Sequence, residues 1–92
     1  MIHILNNDIM KDGMKVGWLE NGHIFESSGK KIGYISGHDI FSYNGNKIAY
    51  LNGTALTRVG HSITVHTDEI NKHVTKGDFS DLERAAVFTL FS

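Results

Sequence analysis

From Asp12 to Val59 the apolar positions return every sixteen residues. The three copies read DGMKVGWLENGHIFES from Asp12, SGKKIGYISGHDIFSY from Ser28 and NGNKIAYLNGTALTRV from Asn44. Within each copy, short runs of alternating apolar and polar residues are separated by glycine-containing pairs, which is the pattern of strands joined by tight turns. The pairs Asp12-Gly13, Ser28-Gly29 and Asn44-Gly45 predict two-residue hairpin tips, because such turns need a left-handed backbone at both central positions. A second set, Asn21-Gly22, Ser36-Gly37 and Asn52-Gly53, divides each copy into two strands. The prediction is an antiparallel meander. Centring a tip on Ser28-Gly29 sets Glu26 against Lys31 and Phe25 against Ile32, and the next tip sets Phe41 against Ile48.

Strict alternation then gives two faces. Val16, Trp18, Ile32, Tyr34, Ile48 and Tyr50 point one way, and Gly17, Gly33, Ala49, Leu19, Ile35 and Leu51 point the other. The small residue at Gly17, Gly33 and Ala49 implies close approach of other backbone, as at a symmetry axis or under a packed helix. Residues Ile2 to Met10 read as a degenerate first copy, with Ile2, Ile4 and Leu5 in the Val16, Trp18 and Leu19 slots and Ile9 in that of Phe25. After Val59 the repeat fades. Gly60-His61 still offers a fourth tip, and Ser62 to His66 a last strand.

Four tips in series, near Asp12, Ser28, Asn44 and Gly60, together with the stretches G-x-K-[IV]-[GA]-[WY]-[IL] from Gly13, Gly29 and Gly45, resemble the four-fold β-flower family. The resemblance spans about Ile2 to His66. It implies a small bacterial domain type with four similar hairpin units about a pseudo-four-fold axis, and it carries no activity, cofactor or site residue with it. WG-repeat and MORN-type arrays have longer repeats and a different order of aromatic and glycine.

The tail changes period. Thr67 followed by Asp68 and Glu69 predicts a short helix with Ile70 and Val74 on one face and Gly77 as its stop. Ser80 with Glu83 is a capping-box pattern opening a helix to about Phe91, with Leu82, Ala85, Ala86 and Leu90 on one side. Phe88 and Phe91 project away from that stripe, so the tail is expected to cover the repeats and also to meet a second chain through Phe88, Leu90 and Phe91. The fold class expected is mostly β (α+β): one domain over residues 1–92, with hairpin repeats over 1–66 and a helical tail over 67–92.

Composition narrows the function classes. Nine Lys and Arg against ten Asp and Glu give a net charge of -1, which supplies no field to attract nucleic acid. There is no cysteine, so disulfides and thiolate chemistry are excluded. The opening MIHILNNDIM has no basic stretch followed by an apolar run, and no segment approaches the roughly 20 apolar residues of a membrane span. A cytoplasmic location without membrane contact is the expectation.

Trp18, Tyr34 and Tyr50 share one repeat position. A row of aromatics can serve flat ligands such as sugars, but the simpler reading is one large core residue per unit. The histidines His3, His23, His38, His61, His66 and His73 are numerous for the length. His23 and His38 fall in the same class of turn, and His61 and His66 bracket the last strand. None has metal-ligand spacing, so no metal or other cofactor is expected. Ser36 near His38 and Asp39, and Ser62 beside His61, are adjacent in sequence without the context of a nucleophile elbow, so no catalytic residue is assigned. The sequence thus leads to a non-catalytic interaction module that self-associates or docks on another protein. The alternative is a small-ligand or carbohydrate-binding domain using Trp18, His23, His38 and Asp39.

Overall fold

The computed structural model describes residues 1–75 and 77–92. Nine strands, β1 (Ile2–Leu5), β2 (Asp8–Lys11), β3 (Met14–Glu20), β4 (His23–Glu26), β5 (Lys31–Ser36), β6 (Asp39–Ser42), β7 (Lys47–Asn52), β8 (Ala55–Arg58) and β9 (Thr64–His66), precede two helices, α1 (Thr67–Ile70) and α2 (Asp81–Phe91). Every strand pairs antiparallel with the next, so one sheet holds all nine in sequence order. The predicted meander with a C-terminal helix is the observed fold.

Two tips have the predicted geometry: Asp12 and Gly13 lie at φ 53° and 80°, and Asn21 and Gly22 at 50° and 80°. At Ser28-Gly29 and Asn44-Gly45 only the glycine is left-handed. There the Gly29 N–H donates to the Glu26 carbonyl and the Glu26 N–H to the Lys30 carbonyl. The loop is therefore one residue longer than a two-residue tip, and Phe25 faces Lys31 instead of Ile32. Phe41 likewise faces Lys47 instead of Ile48.

The register also jumps beside Ile9, Ile24 and Ile40, where Gly17, Gly33 and Ala49 are followed in the pairing by Lys15, Lys31 and Lys47. Val16, Ile32 and Ile48 are thus the unopposed residues of three β-bulges spaced sixteen apart. A bulge lets two consecutive side chains share a face and bends the strand. This overturns the strict alternation: Val16, Ile32 and Ile48 pack against the core, while Trp18, Tyr34 and Tyr50 remain on the opposite, outer face and are absent from the buried cluster.

The repeat phase needs two further corrections. Ile9 pairs with Gly17 as Ile24 does with Gly33 and Ile40 with Ala49, so Ile9 matches Ile24 and not Phe25. Ile4 opposite Ile9 then matches Leu19 opposite Ile24. A slip of one residue reverses the face of every side chain in a strand. The turns inside the units are Asn21-Gly22, Gly37-His38 and Gly53-Thr54. His38 is therefore a turn residue, and Asp39 is the counterpart of His23.

The core-facing rows Ile9, Ile24, Ile40 and Leu56, and Ile4, Leu19 and Leu51, are buried together with Ile70, Val74, Phe79, Ala85, Ala86 and Val87 of the tail. Each buried aliphatic side chain stabilises the fold by about 1.5–3 kcal/mol. α2 lies across the centre of the sheet over the small-residue row. A Cβ on Gly17 would stand 2.7 Å from Phe91 Cζ, and one on Gly33 2.9 Å from Leu90 Cδ1. Of the two explanations for that row, the packed helix is observed. The Ser80–Glu83 capping box forms as predicted. Arg84, inside the helix, is buried and donates to Asn71 Oδ1, the Phe79 carbonyl and Asp81 Oδ1 at 3.1, 2.9 and 2.5 Å.

α1 is a single turn ending at Ile70, and Gly77 is not its stop; Lys76 lies outside the described residues. The reason is competition from the sheet. Beyond α1 the chain runs along the outer edge of β1: the Ile2 N–H donates to the His73 carbonyl, the Thr75 N–H to the Ile2 carbonyl, and the Ile4 N–H to Thr75 Oγ1. Val74 forms a parallel bridge with Ile2. Gly77, at φ 50°, passes so close that a Cβ there would meet the Ile4 Cβ at 2.8 Å.

Candidate functional site

The outer face carries a ladder built by the bulges. Because each bulge inserts one residue, Lys15, Lys31 and Lys47 share a face with the aromatic three positions later. Their ammonium groups stand 5.1, 4.7 and 4.8 Å from the ring centroids of Trp18, Tyr34 and Tyr50. Across the strands Phe25 stacks on Trp18 at 5.1 Å and Phe41 on Tyr34 at 4.9 Å. Trp18 and Tyr34 therefore each have a phenyl stacked on the ring and an ammonium over it.

Asp39 pairs with Lys47 and Asp8 with Lys15, both at 3.1 Å. In the middle unit His23 takes the aspartate's place and leans on Tyr34 at 6.2 Å between centroids. Its Nδ1 is buried without a hydrogen-bond partner. His38 is exposed at its turn and offers its backbone carbonyl to the Leu51 N–H. The four sequence-predicted ligand residues are thus dispersed over two repeats. Trp18, His23 and Asp39 belong to successive cross-strand rows of the ladder, and His38 to a turn.

Among the predicted interface residues, Leu90 and Phe91 are turned onto Gly33 and Gly17 of their own sheet, as part of the expected cover over the repeats. The small-residue row creates the notch that receives them. The Lys11 ammonium donates to the Phe91 carbonyl at 3.2 Å and complements the helix C-terminus. Phe88 remains partly exposed, beside His73 on one side and the Arg58 guanidinium on the other, at 5.9 and 6.0 Å.

Phe88 leads to a groove that the sequence did not disclose. At the end of the sheet where the repeats fade, two adjoining cavities of about 280 Å³ each share Arg58 and His61. One is completed by Lys47, Ile48, Val59 and Thr89, the other by Ile63, Val65 and Phe88. One half is thus cationic and polar, the other apolar. Among the described residues no carboxylate lines either half and Arg58 makes no ion pair. The one available signal was divergence within the repeat. Arg58 opposes Ala49 where Glu26 opposes Gly17 and Ser42 opposes Gly33, so this position alone becomes cationic in the last unit.

The two edges of the sheet also differ. β1 is covered by residues 73–75, whereas β9 has a strand partner only in β8 among the described residues. Beside β9, Ile63 is 73% exposed and Val59 51% exposed, and Ser62 to His66 contains no Lys, Glu or Pro to discourage strand addition.

Among the described residues no three of His, Cys, Asp and Glu are grouped to hold a metal ion, and no helix is long and apolar enough to cross a membrane. In comparison with known proteins, the family model described as 4-fold beta flower protein matches residues 10–85. No curated protein and no solved structure matches the chain.

Proposed function

The chain belongs to the 4-fold beta flower family, and we propose that it is a non-catalytic interaction module that pairs with a second copy of itself along β9. The observation that carries this reading is the asymmetry of the edges, one sealed by the chain's own tail and the other left open with Ile63 beside it. An unpaired, uncharged strand edge is a ready template for strand addition.

The register favours a second copy as occupant. The Thr67 N–H donates to the Thr54 carbonyl, and hydrogen-bonded pairs alternate along an antiparallel ladder. Val65 therefore spends its backbone groups on β8, and Thr64 turns its own outward. An antiparallel pair centred on Thr64 of both copies sets Ile63 against the partner's Val65 and Ser62 against the partner's His66. This is a self-complementary arrangement about a two-fold axis.

Light scattering coupled to size exclusion is expected to give a dimer for the natural chain and a monomer for Ile63→Lys with an unchanged thermal transition. Rapid solvent exchange of the Thr64 amide in the natural chain at high concentration, or a natural chain that stays monomeric there, would refute it.

A further inference from the structure

We propose that the groove beside β8 and α2 is a binding site for a small amphipathic organic anion, whose carboxylate pairs with Arg58 and whose aliphatic or aryl tail lies on Phe88, Ile63 and Val65. The groove is lined by one copy; Ile63 and Val65 also border the β9 seam, whereas Arg58 and Phe88 lie off it, so the Arg58 signal reads the groove separately from pairing.

Three observations converge on this assignment. The first is charge. Arg58 is half-buried, and among the described residues its guanidinium makes no hydrogen bond or ion pair. Lys47, its cationic neighbour, is already held by Asp39 at 3.1 Å. An arginine at the wall of a cavity with no acidic lining matches the forked acceptor of a carboxylate, and among the described residues no side chain supplies one.

The second is orientation. The guanidinium carbon stands 6.0 Å from the Phe88 ring centroid, at the outer limit of a cation–π contact, so the ring biases the side chain toward the groove. His61 lines both cavities beside Arg58.

The third is the division of the groove. The cavity beyond Arg58 and His61 is walled by Ile63, Val65 and Phe88, which would gain little from an inorganic ion and more from a short apolar chain. Two adjoining spaces of about 280 Å³ lie at the small end of ligand sites, which usually begin near 300 Å³. The ligand class is accordingly a short-chain or aryl carboxylic acid rather than a nucleotide or an oligosaccharide.

The natural chain titrated with 4-phenylbutyrate, and followed by ¹H–¹⁵N spectra that include the arginine Nε–H signals, is expected to show saturable shifts at Arg58 and at the amides of Ile63 and Val65. 4-Phenylbutanol, which keeps the tail and lacks the charge, should bind at least about tenfold more weakly, as should the variant Arg58→Gln. Acetate, which keeps the charge and lacks the tail, should be comparably weak. Equal affinity of the acid and the alcohol for the natural chain would overturn the proposal even if Arg58→Gln failed to fold. Equal affinity for acetate would reduce the site to a bare cation, and absence of shifts at Arg58 would remove it.

Discussion

Single residues decide where the helix can sit. A methyl group on Gly17 would lie 2.2 Å from the Phe25 carbonyl oxygen and 2.7 Å from Phe91 Cζ. The ring can swing aside, but the carbonyl belongs to the neighbouring strand and cannot move without breaking the ladder. Gly17→Ala is therefore expected to cost about 3 kcal/mol, at the upper end of overpacking penalties, and chemical denaturation would measure it as a lower midpoint with an unchanged slope. The meaning of this position was legible from its recurrence in Gly33 and Ala49. Arg84 was not legible, because its acceptors on Asn71 and Phe79 are assembled by the path of the tail and have no local signature. Arg58 was equally silent. Its substitution for Glu26 and Ser42 is visible in the aligned copies, but the groove that gives it meaning exists only when α2 comes to rest beside β8.

At the scale of elements, composition and spacing disclosed the strands, the hairpins and the capped helix. They concealed the phase of the side chains. Counting in twos along DGMKVGWL puts Val16 and Trp18 together. The bulge at Val16 removes it from that face and places Lys15 there instead. Nothing in a two-residue period distinguishes a regular strand from one with an inserted residue, so the predicted aromatic core became an outer aromatic–lysine ladder. The same blindness misplaced Ile9 by one position. The capping box, in contrast, is a local arrangement of two side chains and two backbone groups, and it was readable from Ser80 and Glu83. Ser80 accepts from the Glu83 N–H and Glu83 Oε1 from the Ser80 N–H. Ser80→Ala should cost about 1 kcal/mol, seen as a melting temperature lower by about 4–8 °C for a domain of this size.

In the whole molecule the repeats and the tail share one core. Val74, Phe79, Ala85, Ala86 and Val87 complete a cluster whose other half is the core-facing side of the sheet. A chain truncated after His66 loses that half and leaves Ile2 without the His73 and Thr75 backbone partners it has in the full chain. It should show no cooperative thermal transition by circular dichroism, whereas a co-expressed tail, residues 67–92, should restore one. The bridge between Ile2 and Val74 also sets an order of events during synthesis. About seventy residues separate the two halves of that bridge, and a ribosome adding about 5–20 residues per second takes about 4–14 s to make them. Through that interval the first strand is in the world without its cover. The earliest hairpins must stay soluble by their own charges, Asp8, Lys11 and Lys15 among them, until the last quarter of the chain arrives to close the seam.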